Sequence, residues 1–116
     1  MITIKRVYDP ASRADGHHVL VDRLWPRGLT KGDARLDEWL REIAPSNELR
    51  KWFGHAPERW PEFVTRFRQE LAEPTRAAHI ERLRTLAADR TATLLYAARD
   101  DRHNNAVVIA DLLRNK

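Results

Sequence analysis

The chain has 116 residues, of which 42% are hydrophobic and 33% charged, values typical of one globular domain. It has no cysteine, which excludes disulfide bonds, a thiolate nucleophile and cysteine-ligated metal centres. No segment has the apolar length of a membrane span or the pattern of a signal peptide. We therefore predict a single domain over residues 1–116, located in the cytoplasm and without membrane association.

The formal net charge of +4 suggests an anionic partner, nucleic acid included. In the predicted helices, however, arginines alternate with acids, as in Glu58-Arg59 and Glu81-Arg82. Such alternation is typical of a solvated, ion-paired surface. Binding to nucleic acid is therefore an alternative that we rank below binding of a small anion.

Three segments have the composition of β-strands. The first, residues 2–7, is rich in β-branched side chains and ends before Pro10. The second, residues 18–22, and the third, residues 92–98, are short continuous apolar runs. Runs of this kind are typical of parallel strands that are covered on both faces.

The segment after the second predicted strand has the apolar period of a helix. Its inward positions, at i, i+3, i+4 and i+7, are Leu36, Trp39, Leu40 and Ile43. Asp33 precedes them as a candidate N-cap, and Pro45 follows them as a stop. We therefore predict a helix across these four apolar residues.

Four further helices are predicted from the same period. Ser46 is the candidate N-cap of a short helix that Gly54 ends. The clearest apolar stripe covers residues 60–72, and Pro74 begins another helix directly after it. Residues 104–114 are predicted to form the last helix.

The succession of apolar strands and helices predicts an open α/β fold. Its small, mainly parallel sheet would be flanked by helices in a Rossmann-like three-layer arrangement, with a helical insertion between the second and third strands. The link between the first two strands, residues 9–17, is shorter than an ordinary parallel crossover. We predict parallel strands joined by a shortened crossover, with an antiparallel edge pair as the alternative.

Two charged loops are predicted at the carboxyl ends of the strands, where ligands of open α/β sheets bind. The two loops share one edge if the second and third strands are parallel neighbours. Their candidate ligand-binding residues are Asp22, Arg23, Arg27, Arg99, Asp100 and Asn104. Guanidinium groups beside a helix N-terminus favour phosphate or carboxylate, so a small anionic ligand is the predicted partner.

The same residues also have a purely structural interpretation. Asp22 would pair with Arg23 or Arg99, and Asp100 or Asn104 would cap the last helix. No histidines have the spacing of a zinc site, and no Walker A or G-x-G-x-x-G sequence occurs. We therefore predict neither a metal nor a cofactor.

Recognisable motifs are distributed over essentially the whole chain. They read KRVYDP from Lys5, VLVDRLWPRG from Val19, APS from Ala44 with Leu49-Arg50, and TLLY from Thr93 with Asn104-x-Ala106. These motifs resemble the YeaO-like family, a bacterial family of unknown function, and DRLWPRG is the most specific of them. The resemblance implies the α/β fold and a cytoplasmic location, and it implies no activity.

Tyr8, Ser46 and Arg50 lie within these motifs and are secondary candidates for the same site. Ser46 is expected to act as a helix cap, because it is not in a nucleophile elbow. Longer relatives resemble this chain but hold a DVR-type motif at the position of Asp22-Arg23 and cysteines near the end of the last strand. Residues 96–98 here are Tyr-Ala-Ala, so a thiol-based or metal-based role does not carry over.

The preferred hypothesis is a protein that binds a phosphate ester or a nucleotide at this edge of the sheet. Asp22 or Asp100 would orient an arginine or act as a base. The alternatives are a nucleic-acid-binding or accessory module, and a protein–protein adaptor that uses Trp39, Trp52 or Trp60 if any of them is exposed. The sequence assigns no reaction and no oligomeric state.

Overall fold

A four-stranded parallel sheet lies at the centre of the computed structural model, which describes residues 1–115. The strands are β1 (Ile2–Arg6), β2 (His17–Leu20), β3 (Glu38–Trp39) and β4 (Ala92–Tyr96). Their order across the sheet is β1-β4-β2-β3, and every neighbouring pair is parallel. The predicted open α/β fold with a parallel sheet is confirmed.

Within the described residues, five α-helices accompany the sheet. They are α1 (Lys31–Ala34), α2 (Asn47–Phe53), α3 (Trp60–Leu71), α4 (Pro74–Asp89) and α5 (Asn105–Arg114). The Ser46 hydroxyl accepts a hydrogen bond from the Leu49 N–H, and Gly54 ends α2 in the left-handed conformation, as predicted. Within residues 1–115, no helix is both long enough and apolar enough to cross a membrane.

The two faces of the sheet are covered by different parts of the chain. On one face, Val19 and Leu94 pack in the main core with buried residues of the long helices, such as Phe67 of α3. On the other face, Leu20 and Leu95 pack against partly buried side chains from the segment between β2 and β3. Because both faces of β4 are buried, this strand reads as a continuous apolar run.

The tryptophans proposed for an adaptor surface are packed at the margins of the core. Trp52 and Trp60 pack against the main core, and Trp39 packs against the cluster on the other face of the sheet. All three are partly buried. None of the three is among the exposed large apolar side chains of the described residues.

The helix predicted across residues 36–43 is wrong, because part of this segment is a strand. Thr30, and not Asp33, is the N-cap, and the helix that it begins, α1, has only 4 residues. Arg35 then adopts a left-handed conformation with a φ of 51°, which ends α1. The chain continues into β3 and a 3₁₀ turn, Arg41–Ile43.

Pairing with β2 explains why the helical period of this segment does not produce a helix. The Leu40 N–H donates to the Leu20 carbonyl at 2.9 Å, and the Trp39 indole N–H donates to the Asp22 carbonyl at 2.7 Å. Trp39 packs on one face of the sheet and Leu40 in the main core, which is the alternation of a strand. Tertiary pairing thus outweighs the local pattern.

The short link between the first two strands joins strands that are not neighbours in the sheet. β1 and β2 are parallel, but β4 lies between them, so they are not neighbours. The link contains a 3₁₀ turn, Arg13–Asp15, that is tied to the sheet. Lys5 Nζ lies 2.9 Å from the Asp15 carboxylate, and the Thr93 hydroxyl donates to the Asp15 carbonyl at 2.6 Å. The parallel alternative is confirmed, and the antiparallel edge pair is wrong.

Gly16 is a position of this link that does not tolerate a side chain. Its φ is +66°, and a Cβ built on it would lie 2.2 Å from the Thr91 carbonyl oxygen. We expect Gly16→Ala to lower the free energy of unfolding by at least about 2 kcal/mol, because backbone atoms must move to relieve the clash. Urea denaturation measures this change.

Gly32→Ala is the matched control for this substitution. Gly32 lies in α1, and open space surrounds the position of its Cβ. Alanine at this position should leave the free energy of unfolding unchanged or raise it by up to about 1 kcal/mol, because alanine is the better helix former. Equal effects of the two substitutions would contradict the assigned role of Gly16.

Candidate functional site

A cleft of about 980 Å³ opens at the edge of the sheet where the strands end. Its walls come from the loops that follow β1, β2 and β4, and from α2 and the residues after it. Because β4 lies between β1 and β2, these three loops emerge side by side. We call this space the C-edge cleft.

The C-edge cleft brings together most of the residues proposed from the sequence. The proposed residues that line it are Asp22, Arg23, Arg27, Arg99, Asp100, Asn104, Tyr8 and Arg50. Ser46 does not line it, because its hydroxyl donates to the Glu70 carboxylate at 2.6 Å in a separate hollow between α2 and α3. Arg23 and Arg99 thus lie at the same end of the sheet, an arrangement that the anion-binding hypothesis requires.

Positive charge is concentrated in the C-edge cleft. Its basic residues are Arg6, Arg23, Arg27, Arg50, Lys51 and Arg99, and its acidic residues are Asp22 and Asp100. The six basic side chains exceed the two carboxylates by four, and +4 is also the formal charge of the whole chain with neutral histidines. The formal charges of the rest of the chain therefore sum to zero.

The basic side chains of the cleft lack acidic partners of the kind that several other arginines of the chain have. Arg82, for example, lies 2.8 Å from the Glu38 carboxylate. Among residues 1–115, none of the six basic side chains of the cleft forms an ion pair with a carboxylate. Asp22 therefore does not pair with Arg23 or Arg99, as the structural interpretation would require.

Arg23 and Arg50 have guanidinium donors that the protein leaves free. The Nε–H of Arg23 donates to the Pro45 carbonyl at 3.0 Å, while its two terminal nitrogens have no hydrogen-bond partner in the part of the chain that is described. One terminal nitrogen of Arg50 lies 3.4 Å from the Asn47 side-chain oxygen. Among the described residues, its other terminal nitrogen and its buried Nε have no partner. Both side chains line the cleft with unused donors.

Arg6 lines the cleft but was not proposed from the sequence. It is the last residue of β1, and its guanidinium donates to the carbonyls of Ala98 and Ala97 at 3.0 and 3.1 Å. Arg6 therefore joins the loop after β1 to the loop after β4. The sequence shows an arginine at the end of a predicted strand. That this arginine lines the cleft follows only once β1 is known to lie next to β4.

Asp100 organises the loop that leads into α5. Its carboxylate accepts hydrogen bonds from the Arg102 and His103 N–H groups at 2.9 and 3.0 Å, and from Nδ1 of His103 at 2.8 Å. The hydrogen bond from the Arg102 N–H and those from His103 lower the pKa of the Asp100 carboxyl. Asp100 thus orients His103, a second cleft residue that was not proposed from the sequence, rather than an arginine.

Asn104 is the N-cap of α5. Its side-chain oxygen accepts a hydrogen bond from the Val107 N–H at 3.1 Å, and its amide donates to the Asp100 carbonyl at 2.9 Å. The capping role foreseen for Asn104 is therefore present. Both side-chain groups are occupied, so Asn104 shapes the loop at the cleft.

Asp22 is a partly buried carboxylate that connects β2 to β4. It accepts a hydrogen bond from the Ala97 N–H at 2.9 Å, and the Asn105 amide beside it donates to the Val21 carbonyl at 2.7 Å. Burial raises the pKa of the Asp22 carboxyl, and hydrogen bonds from Ala97 and Asn105 only partly oppose this effect. Ionisation of Asp22 therefore lowers the free energy of unfolding.

The histidines near the start of the sheet are engaged with acids. His17 Nε2 lies 3.2 Å from the Glu38 carboxylate, and His18 Nε2 lies 3.0 Å from the Asp15 carboxylate. Within residues 1–115, no group of three or more histidine, aspartate or glutamate side chains is arranged to hold a metal ion. These histidines therefore contribute to local ion pairing.

The pKa of Asp22 gives a prediction for Asp22→Asn. Because the pKa is raised in the folded state, the ionised carboxylate reduces stability at neutral pH, and this cost disappears below the ordinary pKa of 3.8. Asparagine keeps an oxygen that accepts from the Ala97 N–H. We expect Asp22→Asn to be at least as stable as the wild type at pH 7, with an advantage that shrinks toward about pH 3.5.

Urea unfolding of both proteins across this pH range measures the difference. Asp101→Asn is the matched control, because it makes the same change in net charge at an exposed position. A wild type clearly more stable than Asp22→Asn at pH 7, with no such loss in the control, would show that a cation compensates the carboxylate.

Comparisons with known proteins agree over the full length of the chain. Residues 1–116 match the family model DUF488-N3i, described as the inactive DUF488-N3 subclade. The chain is 46% identical over 114 residues to the uncharacterized protein YeaO of Escherichia coli (strain K12), an alignment that covers 98% of this chain and 97% of that protein. It is 39% identical over 115 residues to the uncharacterized protein Rv3073c of Mycobacterium tuberculosis (strain H37Rv), covering 99% of this chain and 95% of that protein.

No solved structure matches the chain. The family comparison and the relatives confirm the resemblance indicated by the DRLWPRG motif and its companions. The chain belongs to the YeaO-like DUF488-N3i family.

Proposed function

We propose that this protein binds a phosphorylated small molecule in the C-edge cleft. The proposal rests on the six basic side chains of the cleft, none of which is ion-paired among the described residues. Like charges held close together destabilise a folded protein unless an opposite charge compensates them. A bound polyvalent anion supplies that compensation.

The geometry of the arginines supports phosphate as the anionic group. A guanidinium offers parallel N–H donors that match two oxygens of a phosphate. Arg23 is already oriented by its hydrogen bond to the Pro45 carbonyl, and both Arg23 and Arg50 keep a terminal nitrogen without a partner among the described residues. A ligand phosphate can accept from such donors with little loss of side-chain entropy.

We propose that the protein binds its ligand without converting it. The family to which this chain belongs is described as an inactive subclade. Of the two acids considered as bases, Asp100 accepts three hydrogen bonds that favour its ionised form, which makes it a weak base. Asp22 is engaged by the Ala97 N–H.

The distribution of charge supports a small ligand rather than a nucleic-acid duplex. A duplex-binding surface needs a stripe of free basic residues that follows the phosphate backbone. On the helices, Arg66 pairs with Glu62, and Arg84 pairs with Glu81. The net excess of four positive charges in the cleft equals the formal charge of the whole chain.

The test compares the wild type with the double variant Arg23→Ala/Arg50→Ala in inorganic phosphate. Phosphate at about a hundred times its dissociation constant should raise the free energy of unfolding of the wild type by roughly 2.7 kcal/mol. The double variant should lose most of this increase, because two of the donors are removed. Urea denaturation with and without phosphate, at constant ionic strength set with chloride, measures both proteins.

Without phosphate, the double variant should stay within about 2 kcal/mol of the wild type, because Arg23 contributes one hydrogen bond and neither side chain has an ionic partner. Arg68→Ala is the matched control, since Arg68 is an exposed arginine of α3 outside the cleft. It should keep the full response to phosphate. An equal response of the wild type and the double variant, or none in the wild type, would rule out this function.

A further inference from the structure

Tyr8 is an exposed aromatic side chain that is nevertheless held in a fixed orientation. Tyr8 is 40% exposed and lines the C-edge cleft. Its hydroxyl donates a hydrogen bond to the Arg27 carbonyl at 2.8 Å, and the Arg6 guanidinium lies over its ring, 4.8 Å from the centroid. An exposed ring fixed at its hydroxyl and supported on one face is prepared for contact with a ligand.

Arg6 is itself immobilised. It donates to the carbonyls of Ala98 and Ala97, at 3.0 and 3.1 Å, in the loop after β4. Arg6, which packs against the Tyr8 ring, is therefore anchored to the loop that follows β4. Because the ring is already ordered, stacking of a second ring against it costs little conformational entropy.

The exposed apolar surface of the cleft lies beside its free charges. Leu24 is 60% exposed and lines the same cleft, as do Arg23 and Arg50 with their unused donors. A simple phosphate would use only the guanidinium groups. The ligand that fits both features has a planar aromatic ring at one end and a phosphate at the other.

We infer that the ligand is a nucleoside phosphate whose base stacks on Tyr8 while its phosphate binds the free guanidinium groups of the cleft. This inference rests on the proposed function, because it assumes that the cleft binds phosphate. Stacking of a base on an aromatic side chain changes affinity by about 5-fold to 150-fold. The base should therefore make a measurable contribution of its own.

The test is a titration calorimetry series with inorganic phosphate, ribose 5-phosphate and adenosine monophosphate. The wild type should bind adenosine monophosphate at least about 5-fold more tightly than ribose 5-phosphate. Tyr8→Ala should remove this difference and leave the affinity for ribose 5-phosphate within about 2-fold of the wild type. Tyr8→Phe, which keeps the ring, should retain most of the preference.

The two proposals fail in different ways in this series. If no phosphate compound binds the wild type, the proposed function is wrong. If adenosine monophosphate and ribose 5-phosphate bind equally, or if Tyr8→Ala keeps the preference, phosphate binding stands and the stacking of a base on Tyr8 is wrong. Urea denaturation of both Tyr8 variants shows that they are folded.

A 5′-phosphorylated pentanucleotide distinguishes a free nucleotide from the end of a nucleic-acid strand. Either source of the nucleoside phosphate supports the inference if Tyr8→Ala weakens its binding by the expected factor. A pentanucleotide bound tightly and equally by the wild type and Tyr8→Ala, with an affinity that falls steeply with salt, contradicts the inference and favours contacts to the backbone alone.

Discussion

The position of β4 between β1 and β2 is the constraint on which the rest of this structure depends. The last strand of the chain joins two strands that are otherwise separated, and both of its edges are hydrogen-bonded. The residues directly after β4 then form hydrogen bonds with side chains that line the cleft. The Ala97 N–H binds the Asp22 carboxylate, and the carbonyls of Ala97 and Ala98 hold Arg6. Three loops that are distant in sequence are thus placed around one cavity.

The sequence was sufficient to predict the features that depend on local chemistry or on strand direction. Continuous apolar runs predicted buried parallel strands, and the loops after them predicted that Arg23 and Arg99 would lie at one edge. The segment with Trp39 and Leu40 was misjudged, because its apolar residues fit a helical period while β2 offered it hydrogen bonds. Arg6 was missed because its partners depend on strand order, which no local pattern encodes.

The cleft keeps polar groups in arrangements that lower the stability of the folded protein. Arg23 and Arg50 keep donors that no residue of the described chain satisfies, and burial raises the pKa of Asp22 beside them. Some charges elsewhere are compensated at short range, as in the pair between Lys5 and Asp15 at 2.9 Å. Several basic side chains without ion pairs around one concave region are the pattern expected where a ligand completes the electrostatics.

The two outer strands also bear on how the protein behaves at high concentration. An exposed strand edge is a template for pairing with another chain, and proteins limit this risk with short or covered edges. β3 has only 2 residues, so it offers an incoming strand almost no unpaired backbone. At the opposite edge, the Arg114 guanidinium donates to the Ile2 carbonyl at 2.9 Å and blocks an acceptor of β1. Both edges of the sheet therefore offer an incoming strand fewer free backbone groups than a long, uncovered edge strand would.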